Sequence, residues 1–491
     1  MNLRLSILRV STLIYIAFPL IPFFLGWVRL EYGIPMLGLL FYGGFNYVKS
    51  LDFKERFVLR KRDLLIGLAI LSVWLLFSGA GGMGYQVSDH VKNNTLAKEL
   101  SNLSWPLQYD VDGEKMYLSH YLSFYIVGPF VAGFIGYPYA QLVVFLWTTL
   151  GVFLGVFWLA RAAGGFNWRF FLFFIFFGGI SVFSFIFKYE GGFITEIVKR
   201  VNEHGFVFWM NSWDVIPLNY LHITDMLYWT PQHFIPAILG IGILLNDSLI
   251  DKNISFTPFL LCLLVMWSPL ILVGIFPYFV FVLFQNRFKD VFNITNLVVG
   301  PIIFLFLASY LLAIESGDLV KHFIFTAEGA ELREQILVFF YFLFFEVVVW
   351  VLPIYFIKRG KWKNGEKPLF IVLSLVLFTI PLYRFGLWND WCNRVSMPSL
   401  VLLSVFAYKA FMASKKLKRV WMITLLVLAS NGPMMDMVGS LKYSGYKPKF
   451  RPPYEQEVLS LPEICVAYPI TQFVAAEDSF FFKYLAKKPN K

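Results

Sequence analysis

The chain is poor in charged residues and in cysteine. Asp, Glu, Lys and Arg make up 15% of its 491 residues, whereas soluble domains contain about 25%. The hydrophobic share is 58% and the mean hydropathy is +0.65, which excludes one large soluble protein and indicates a chain of many membrane spans. The three cysteines lack metal-ligand spacing and form no disulfide framework. Cys392 and Cys465 fall on the same predicted side and could pair, although two unrelated thiols are the preferred interpretation.

Apolar segments of membrane-spanning length dominate the chain. A span needs about 20 apolar residues, and the sequence predicts an all-α polytopic membrane protein with about 13 transmembrane helices. Two of them are short spans within 257–285, where Trp267-Ser268-Pro269 breaks the apolar run into a hairpin whose tip points outward. The others are placed at 7–29, 33–48, 64–82, 138–160, 170–187, 232–248, 294–314, 336–357, 368–385, 396–413 and 420–438.

Basic residues are concentrated in short loops between the apolar segments. Runs rich in Lys and Arg occupy 49–62, 358–367 and 415–419, and positive charge marks the inner side of a membrane. The net charge of +11 therefore reflects orientation among membrane lipids, and nucleic acid is not a predicted partner. With the N-terminus inside, the tail from about residue 441 falls outside, and a bacterial inner membrane is the expected location.

The outer side carries all six histidines, most of the acidic residues and two long loops. Within the first loop, residues 121–136 are apolar but short, with Gly128-Pro129 at their centre. We therefore predict that this segment lies along the interface and does not cross. The predicted domains are residues 1–63, with two spans and a basic loop; 64–440, the main bundle with outer loops 83–137 and 188–231; and 441–491, the extracytoplasmic tail.

The first outer loop places an acidic residue at the membrane surface. Asp89 and His90 follow the third apolar segment by a few residues, and His120 comes later in the same loop. A carboxylate that is near water but backed by apolar protein can act as a general base or hold a metal ion. Ser88-Asp89 would equally suit the N-cap of the next helix. The sequence leaves both roles open.

The order of elements between about residues 64 and 290 follows a known arrangement. A span leads to Asp89, an aromatic run at 120–125 continues to Gly136, a return span closes on Arg161, and the broken hairpin follows. In this order the chain resembles the GT-C superfamily of membrane glycosyltransferases, which includes the protein mannosyltransferases and the lipid A aminoarabinose transferases. The resemblance implies a GT-C-like fold with interfacial helices in the outer loops. It also implies Asp89 as the catalytic base, with His90 where the family often has a second acidic residue.

The second outer loop is the most polar part of the chain. His222 and Asp225 are three residues apart, so they would share one face of a helix and could bind a metal ion or orient an imidazole. His233 follows just before a span. A solvated loop whose His and Trp side chains settle at the lipid headgroups is the preferred alternative. The same loop contains Glu190, Glu196, Glu203, His204 and Asp214.

A short polar segment between two late spans is a third candidate site. Arg394, with Arg384 just before the segment, is predicted to bind the phosphates of a lipid-linked donor through its planar guanidinium. Trp388, Asn389 and Asp390 complete this predicted substrate site. A structural Asp390–Arg394 pair is the alternative.

Glu346 lies in the middle of a predicted span, where a carboxylate is costly and faces a bundle interior or a cavity. A buried hydrogen bond to another helix is one explanation, and a proton or ion path is the other.

These features lead to one main functional hypothesis. The chain is expected to transfer a sugar from a polyprenyl-phosphate donor to a lipid-linked glycan or other acceptor on the extracytoplasmic face. Asp89 would deprotonate the acceptor hydroxyl, and Arg394 would hold the donor phosphate. The sequence identifies no cofactor, and dependence on a divalent metal ion stays open. The alternatives are a polysaccharide polymerase or ligase of different fold, and a multi-pass transporter or flippase, which Glu346 keeps open.

Overall fold

The computed structural model describes residues 2–86, 88–184, 217–314, 320–326, 331–363, 365–444, 460–465 and 470–488. The described chain is mostly helical, with a few short strands. The α-helices, in chain order, are α1 Leu5–Ala17, α2 Leu20–Gly26, α3 Leu30–Lys49, α4 Lys61–Leu76, α5 Ser88–Asn102, α6 Val127–Ile135, α7 Ala140–Ala162, α8 Trp168–Ile175, α9 Ile223–Trp229, α10 Pro231–Leu245, α11 Thr257–Cys262, α12 Pro269–Gln285, α13 Gly300–Leu311, α14 Leu332–Leu343, α15 Val349–Lys358, α16 Glu366–Thr379, α17 Met397–Ala413, α18 Leu417–Ala429, α19 Asn431–Tyr443 and α20 Leu461–Ile464.

Short helical turns of other types extend or connect these helices. Turns of 3-10 helix lie at Ala80–Gly82, Tyr137–Tyr139, Ser181–Ser184, Leu263–Met266, Ile324–Thr326, Ile380–Leu382 and Ile470–Gln472. Turns of π-helix lie at Asn246–Ile250, Thr295–Val299, Phe344–Val348, Trp391–Val395 and Phe481–Leu485.

The number of helices that could cross a membrane is smaller than the sequence predicts. Within the described residues, five helices are long and apolar enough, and there are six if a pair bent by 40° forms one span. Three shorter apolar helices accompany them, so the predicted 13 spans are not confirmed. The five helices are Leu5–Gly26, Tyr137–Ala162, Pro231–Ile250, Leu332–Lys358 and Trp391–Ala413, and the bent pair is Leu417–Ala429 with Asn431–Tyr443.

Two of the apolar segments have the helix length or the break that the sequence indicates, while the interfacial position of residues 121–136 and the outward tip of the hairpin at 257–285 stay predictions. Helix α6 is nine residues long and spans about 14 Å at 1.5 Å per residue, which is too short for a hydrocarbon core of about 30 Å. This confirms that residues 121–136 do not form one continuous spanning helix. The apolar run at 257–285 breaks between Met266 and Pro269, where the Ser268 side chain accepts a hydrogen bond from the Ile271 amide and caps α12.

The described residues form three small antiparallel sheets, which the all-α prediction lacks. Strand β1 (Asn2–Arg4) pairs with β2 (Arg56–Val58), and β5 (Lys321–Phe323) pairs with β6 (Tyr383–Phe385). In the first outer loop, β3 (Gln108–Val111) and β4 (Glu114–Leu118) form a hairpin, and β7 (Val474–Ala476) from the C-terminal tail adds a third strand. Each sheet joins segments that the charge pattern places on one side of the membrane, so the grouping of the loops agrees with the predicted sidedness.

Helices α7 and α10 are the central pair of the bundle. Gly155 of α7 faces α10, where a Cβ atom would overlap Ile238, and Gly151 of α7 lies against Tyr15 of α1 and Ile235 of α10. Small residues allow two helix backbones to approach closely, and this is the usual way in which membrane helices associate. Both helices run from the end of the bundle that holds the first outer loop to the opposite end. They therefore set the distance between these two ends.

An ion network closes that opposite end, which we call the network end. Arg9 of α1 binds Asp247 at 2.8 Å and Asp251 at 2.7 Å, and Arg161 at the end of α7 binds Asp251 at 2.6 Å. Arg161 also reaches Glu55 at 3.3 Å. The network therefore ties together the ends of α1, α7 and α10 and the loop after α3.

Candidate functional site

A cavity of about 600 Å³ opens at the end of the bundle opposite the network end. Its walls come from the start of α5, residues 120–121, α9, the start of α12, the loop at 385–394 and residues 472–473 of the tail. Six of the residues predicted as site residues line it: Asp89, His120, Asp225, Trp388, Asp390 and Arg394. Asp89 and Arg394 thus converge on one cavity, although they lie far apart in the sequence.

Asp89 lies in the first turn of α5, where the helix dipole favours a carboxylate. Its side chain is partly exposed on the cavity wall, and no ion pair joins it to another described residue. Lys92 lies three residues further along the same helix and also lines the cavity. Because residues i and i+3 share a helix face, a carboxylate and an ammonium group stand side by side on this wall.

Arg394 provides a second positive charge in the cavity. Its guanidinium binds the Asp390 carboxylate at 3.1 Å, and both side chains are about one quarter exposed. The structural pair that the sequence offered as an alternative is therefore present. It coexists with exposure of both groups to the cavity, so the pair does not exclude a ligand.

His120 is buried within electrostatic range of both cations. Its backbone amide donates to the Tyr310 hydroxyl at 3.1 Å, and its ring lies 3.7 Å from that of Tyr121, centroid to centroid. Burial, together with the positive charges of Lys92 and Arg394, lowers the pKa of His120 well below its usual range. The imidazole is therefore neutral at physiological pH. Within the described residues, its Nε2 atom has no hydrogen-bond partner.

Two of the other predicted histidines stand behind the cavity wall. His233 reaches the Tyr121 hydroxyl with Nε2 at 3.1 Å and the Ser268 hydroxyl with Nδ1 at 2.7 Å, so it acts on the cavity only through Tyr121. His90 does not line the cavity, and its Nε2 lies 3.3 Å from the Ser78 carbonyl oxygen. Burial lowers the pKa of His90 to about 4. As placed, His90 is a buried neutral group.

His222 belongs to a buried hydrogen-bonded chain. Its Nδ1 lies 2.7 Å from an Asp225 carboxylate oxygen, and its Nε2 lies 3.0 Å from the Ser181 hydroxyl. These distances match a Ser-His-Asp arrangement. However, Asp225 lines the cavity and Ser181 does not, so the nucleophile of such a triad would be the group without access. Burial raises the pKa of Asp225.

Among the predicted residues in and next to the loop at 385–394, some line the cavity and others only hold the loop in shape. Trp388 is 65% exposed and lines the cavity. Asn389 is fully buried; its side chain donates to the Pro217 carbonyl at 2.7 Å and accepts from the Cys392 amide at 3.2 Å. Arg384 lies in β6 outside the cavity lining and donates to the Leu387 carbonyl at 2.8 Å. Asn389 and Arg384 therefore shape the loop.

The sequence did not single out several residues of the cavity. Lys92 could have been found from its spacing to Asp89, which puts both on one face of α5. Gln472 and Phe473 could not, because they reach the cavity only through the pairing of β7 with β4. Phe473 also contacts Lys92, whose Nζ lies 5.7 Å from the ring centroid.

Several residues named in the sequence analysis lie outside the cavity or outside the described part of the chain. Glu190, Glu196, Glu203, His204 and Asp214 lie outside the described residues, as does the part of the second outer loop from 188 to 216. Cys392 is buried and Cys465 is partly buried, and both are free thiols. In the described part of the chain, no group of three or more His, Cys, Asp or Glu residues is arranged to hold a metal ion.

No protein-family model, curated protein or solved structure matches the chain. The resemblance to GT-C glycosyltransferases therefore stays a prediction from the order of sequence elements, and the geometry of the cavity carries the functional argument.

Proposed function

We propose that the protein is a membrane glycosyltransferase that uses a polyprenyl-phosphate sugar as donor. The observation that supports this function is the convergence of Asp89, Lys92 and Arg394 on one cavity of about 600 Å³. A volume of this size accommodates a sugar phosphate and an acceptor group. The Asp89 carboxylate, which forms no ion pair in the described structure, together with the cations Lys92 and Arg394 matches a reaction in which a hydroxyl loses a proton while a phosphate leaves with negative charge.

In this proposal each group has a defined task. The Asp89 carboxylate accepts the proton of the acceptor hydroxyl, and the acceptor oxygen attacks the anomeric carbon of the donor sugar. The bond between that carbon and the phosphate oxygen breaks, and the polyprenyl phosphate leaves with the electron pair. Lys92 and Arg394 stabilise the charge on the leaving phosphate, because fixed positive groups in a partly dry cavity act more strongly than in water.

The lining of the cavity and its position also support a lipid-linked donor. Leu270, Leu311 and Ile314 line it beside the charged groups, so one part of the wall is apolar. A lipid chain could occupy such a surface while the phosphate reaches the cations. In keeping with the positive charge of the loops at the network end, we place the cavity on the extracytoplasmic face of a bacterial inner membrane.

The decisive experiment is a transfer assay. Purified full-length protein in detergent is incubated with a panel of polyprenyl-phosphate sugars and candidate glycan-lipid acceptors, and release of polyprenyl phosphate is measured. Product analysis separates single sugar transfer from polymerisation or ligation of whole glycans. Failure of every donor to release polyprenyl phosphate, with a folded protein, would contradict the proposal.

A transporter is the second candidate, because of Glu346. This residue is 1% exposed and lies in the π-helical turn Phe344–Val348, within the candidate span Leu332–Lys358. Buried carboxyl groups in spans often belong to proton or ion paths. Reconstitution in vesicles distinguishes the two functions: transport that Glu346→Gln abolishes, without any release of polyprenyl phosphate, would favour the transporter.

A further inference from the structure

One wall of the cavity carries a carboxyl group and an indole on the same helix face. Asp225 and Trp229 are four residues apart in α9 and both line the cavity. Residues at this spacing are neighbours on a helix surface. Neither has a task in the proton transfer or the phosphate binding proposed above.

Asp436 of α19 connects the two side chains. Its carboxyl group interacts with the Asp225 carboxyl group and with the Trp229 indole. Two carboxyl groups in contact at low dielectric do not both ionise, so the pair holds one proton. His222 binds Asp225 from the other side at 2.7 Å and fixes its orientation.

We propose that Asp225 and Trp229, with Asp436 behind them, form a subsite for the sugar ring of the donor. A carboxyl pair with one proton both donates and accepts hydrogen bonds, as a sugar hydroxyl does. The indole offers an apolar face for the C–H side of the ring, while it interacts with Asp436 behind it. The inference rests on the proposed transferase function, which supplies the sugar-bearing ligand.

The charges within the cavity agree with a sugar subsite on one wall and a phosphate site on another. The carboxyl pair keeps a negative charge and would repel a phosphate, whereas Lys92 and Arg394 attract one. The unpartnered Nε2 atom of His120, a residue that is 4% exposed, adds a hydrogen-bonding group to the cavity lining. A metal ion does not fit the α9 wall, because His222 already uses Nδ1 to hold Asp225.

The test compares two lipids that differ only in the sugar. Binding of a polyprenyl-phosphate hexose and of polyprenyl phosphate to full-length protein is measured by titration calorimetry for wild type, Asp225→Asn, Asp436→Asn and Trp229→Phe. Trp421→Phe is the matched control, since Trp421 is 59% exposed on α18 and does not line the cavity. Loss of one hydrogen bond or ring contact should weaken hexose-lipid binding about tenfold. Binding of polyprenyl phosphate should stay within about twofold.

Each other outcome has a defined meaning. Equal loss for both lipids, or no loss for either, would overturn the sugar subsite. If wild type binds neither lipid but binds a free hexose or oligosaccharide, and Asp436→Asn or Trp229→Phe weakens that binding, the lipid-donor function fails and the subsite stands. Binding of no sugar-bearing ligand at all would overturn both. If Asp225→Asn does not fold, Asp436→Asn and Trp229→Phe still provide the test.

Discussion

The Tyr121 hydroxyl and the His233 Nε2 atom are 3.1 Å apart, and the second nitrogen of that imidazole lies 2.7 Å from the Ser268 hydroxyl. Ser268 in turn caps α12 at the break in the long apolar run. A hydrogen-bonded chain therefore leads from the cavity wall to the start of a helix in the bundle. It holds the Tyr121 ring, and with it the adjacent His120 ring, in a fixed position.

Replacing Tyr121 by Phe should disturb this chain. The buried His233 nitrogen would lose its partner, which costs about 1–3 kcal/mol of folding free energy. The apparent melting temperature in detergent should fall relative to Tyr42→Phe, because Tyr42 is 45% exposed on α3. An unchanged melting temperature would mean that the hydrogen bond does not contribute to stability.

Asp89→Asn should abolish sugar transfer while expression and donor binding stay nearly intact. The amide keeps the shape of the side chain but cannot accept a proton from the acceptor hydroxyl. Initial rates of polyprenyl phosphate release and donor titration measure the two effects. Asp112→Asn, on the turn between β3 and β4, is the control that should keep full activity. A rate close to wild type would remove Asp89 from the mechanism.

Arg394→Ala should weaken donor binding by about 1.5–3 kcal/mol, the range for one charge-assisted contact. The same change frees Asp390 from its 3.1 Å ion pair. For this reason Asp390→Asn serves as the comparison, since it breaks the pair but leaves the guanidinium in the cavity. If both variants lose the same affinity, the pair itself and not the charge on Arg394 determines binding.

Among the charged residues that line the cavity, the sequence singled out Asp89, Asp225, Asp390 and Arg394 but missed Lys92. Asp89, Asp390 and Arg394 are polar residues at the ends of apolar segments, and this pattern is visible without a structure. The burial of His90 and Asn389 is not, because it depends on which helix packs over each of them. The pairing of β7 with β4 is equally hidden, since strands of three to five residues carry no periodic signal of their own.

The span count shows the same limit at the level of the fold. An apolar run can be counted in the sequence, but its breaks depend on local backbone chemistry. Helix α8 ends at Ile175, well before the predicted end of that span, and the first span is interrupted between Ala17, where α1 ends, and Leu20, where α2 begins. The predicted division into 1–63, 64–440 and 441–491 stays a prediction.

Stability should fall as the pH is lowered below about 6.5. The folded-state pKa of His90 is about 4, against 6.5 for the free side chain. The unfolded chain therefore binds a proton first, and the contribution of the neutral residue is complete above 6.5 and is lost between 6.5 and 4. A shift of this size corresponds to about 3 kcal/mol. His90→Gln should flatten the dependence of melting temperature on pH in this range. His120, whose pKa is also lowered, should account for part of the remaining slope.

Arg9→Met should destabilise the protein strongly without touching the cavity. It leaves Asp247, which is 4% exposed at its side chain, without its ion partner. Removal of one partner of a buried ion pair costs about 3–5 kcal/mol. In a variant that also carries Asp247→Asn the loss should be smaller, because no charge is left buried at that position. Thermal unfolding in detergent measures both, and additive losses would contradict a direct interaction.

Labelling should place the two ends of the bundle on opposite sides of the membrane. Trp388→Cys lies at the cavity mouth, where the residue is 65% exposed, and Lys361→Cys lies in an exposed basic loop that the charge pattern places inside. Position 388 is better suited than its neighbour Asn389, which is fully buried. In intact cells a membrane-impermeant thiol reagent should label position 388 and spare position 361 until the membrane is opened. The reverse pattern would place the cavity on the inner face. Asp89, Lys92 and Arg394 would still share one cavity, but the donor would have to be presented from the cytoplasm, and the assignment to the extracytoplasmic face would be wrong.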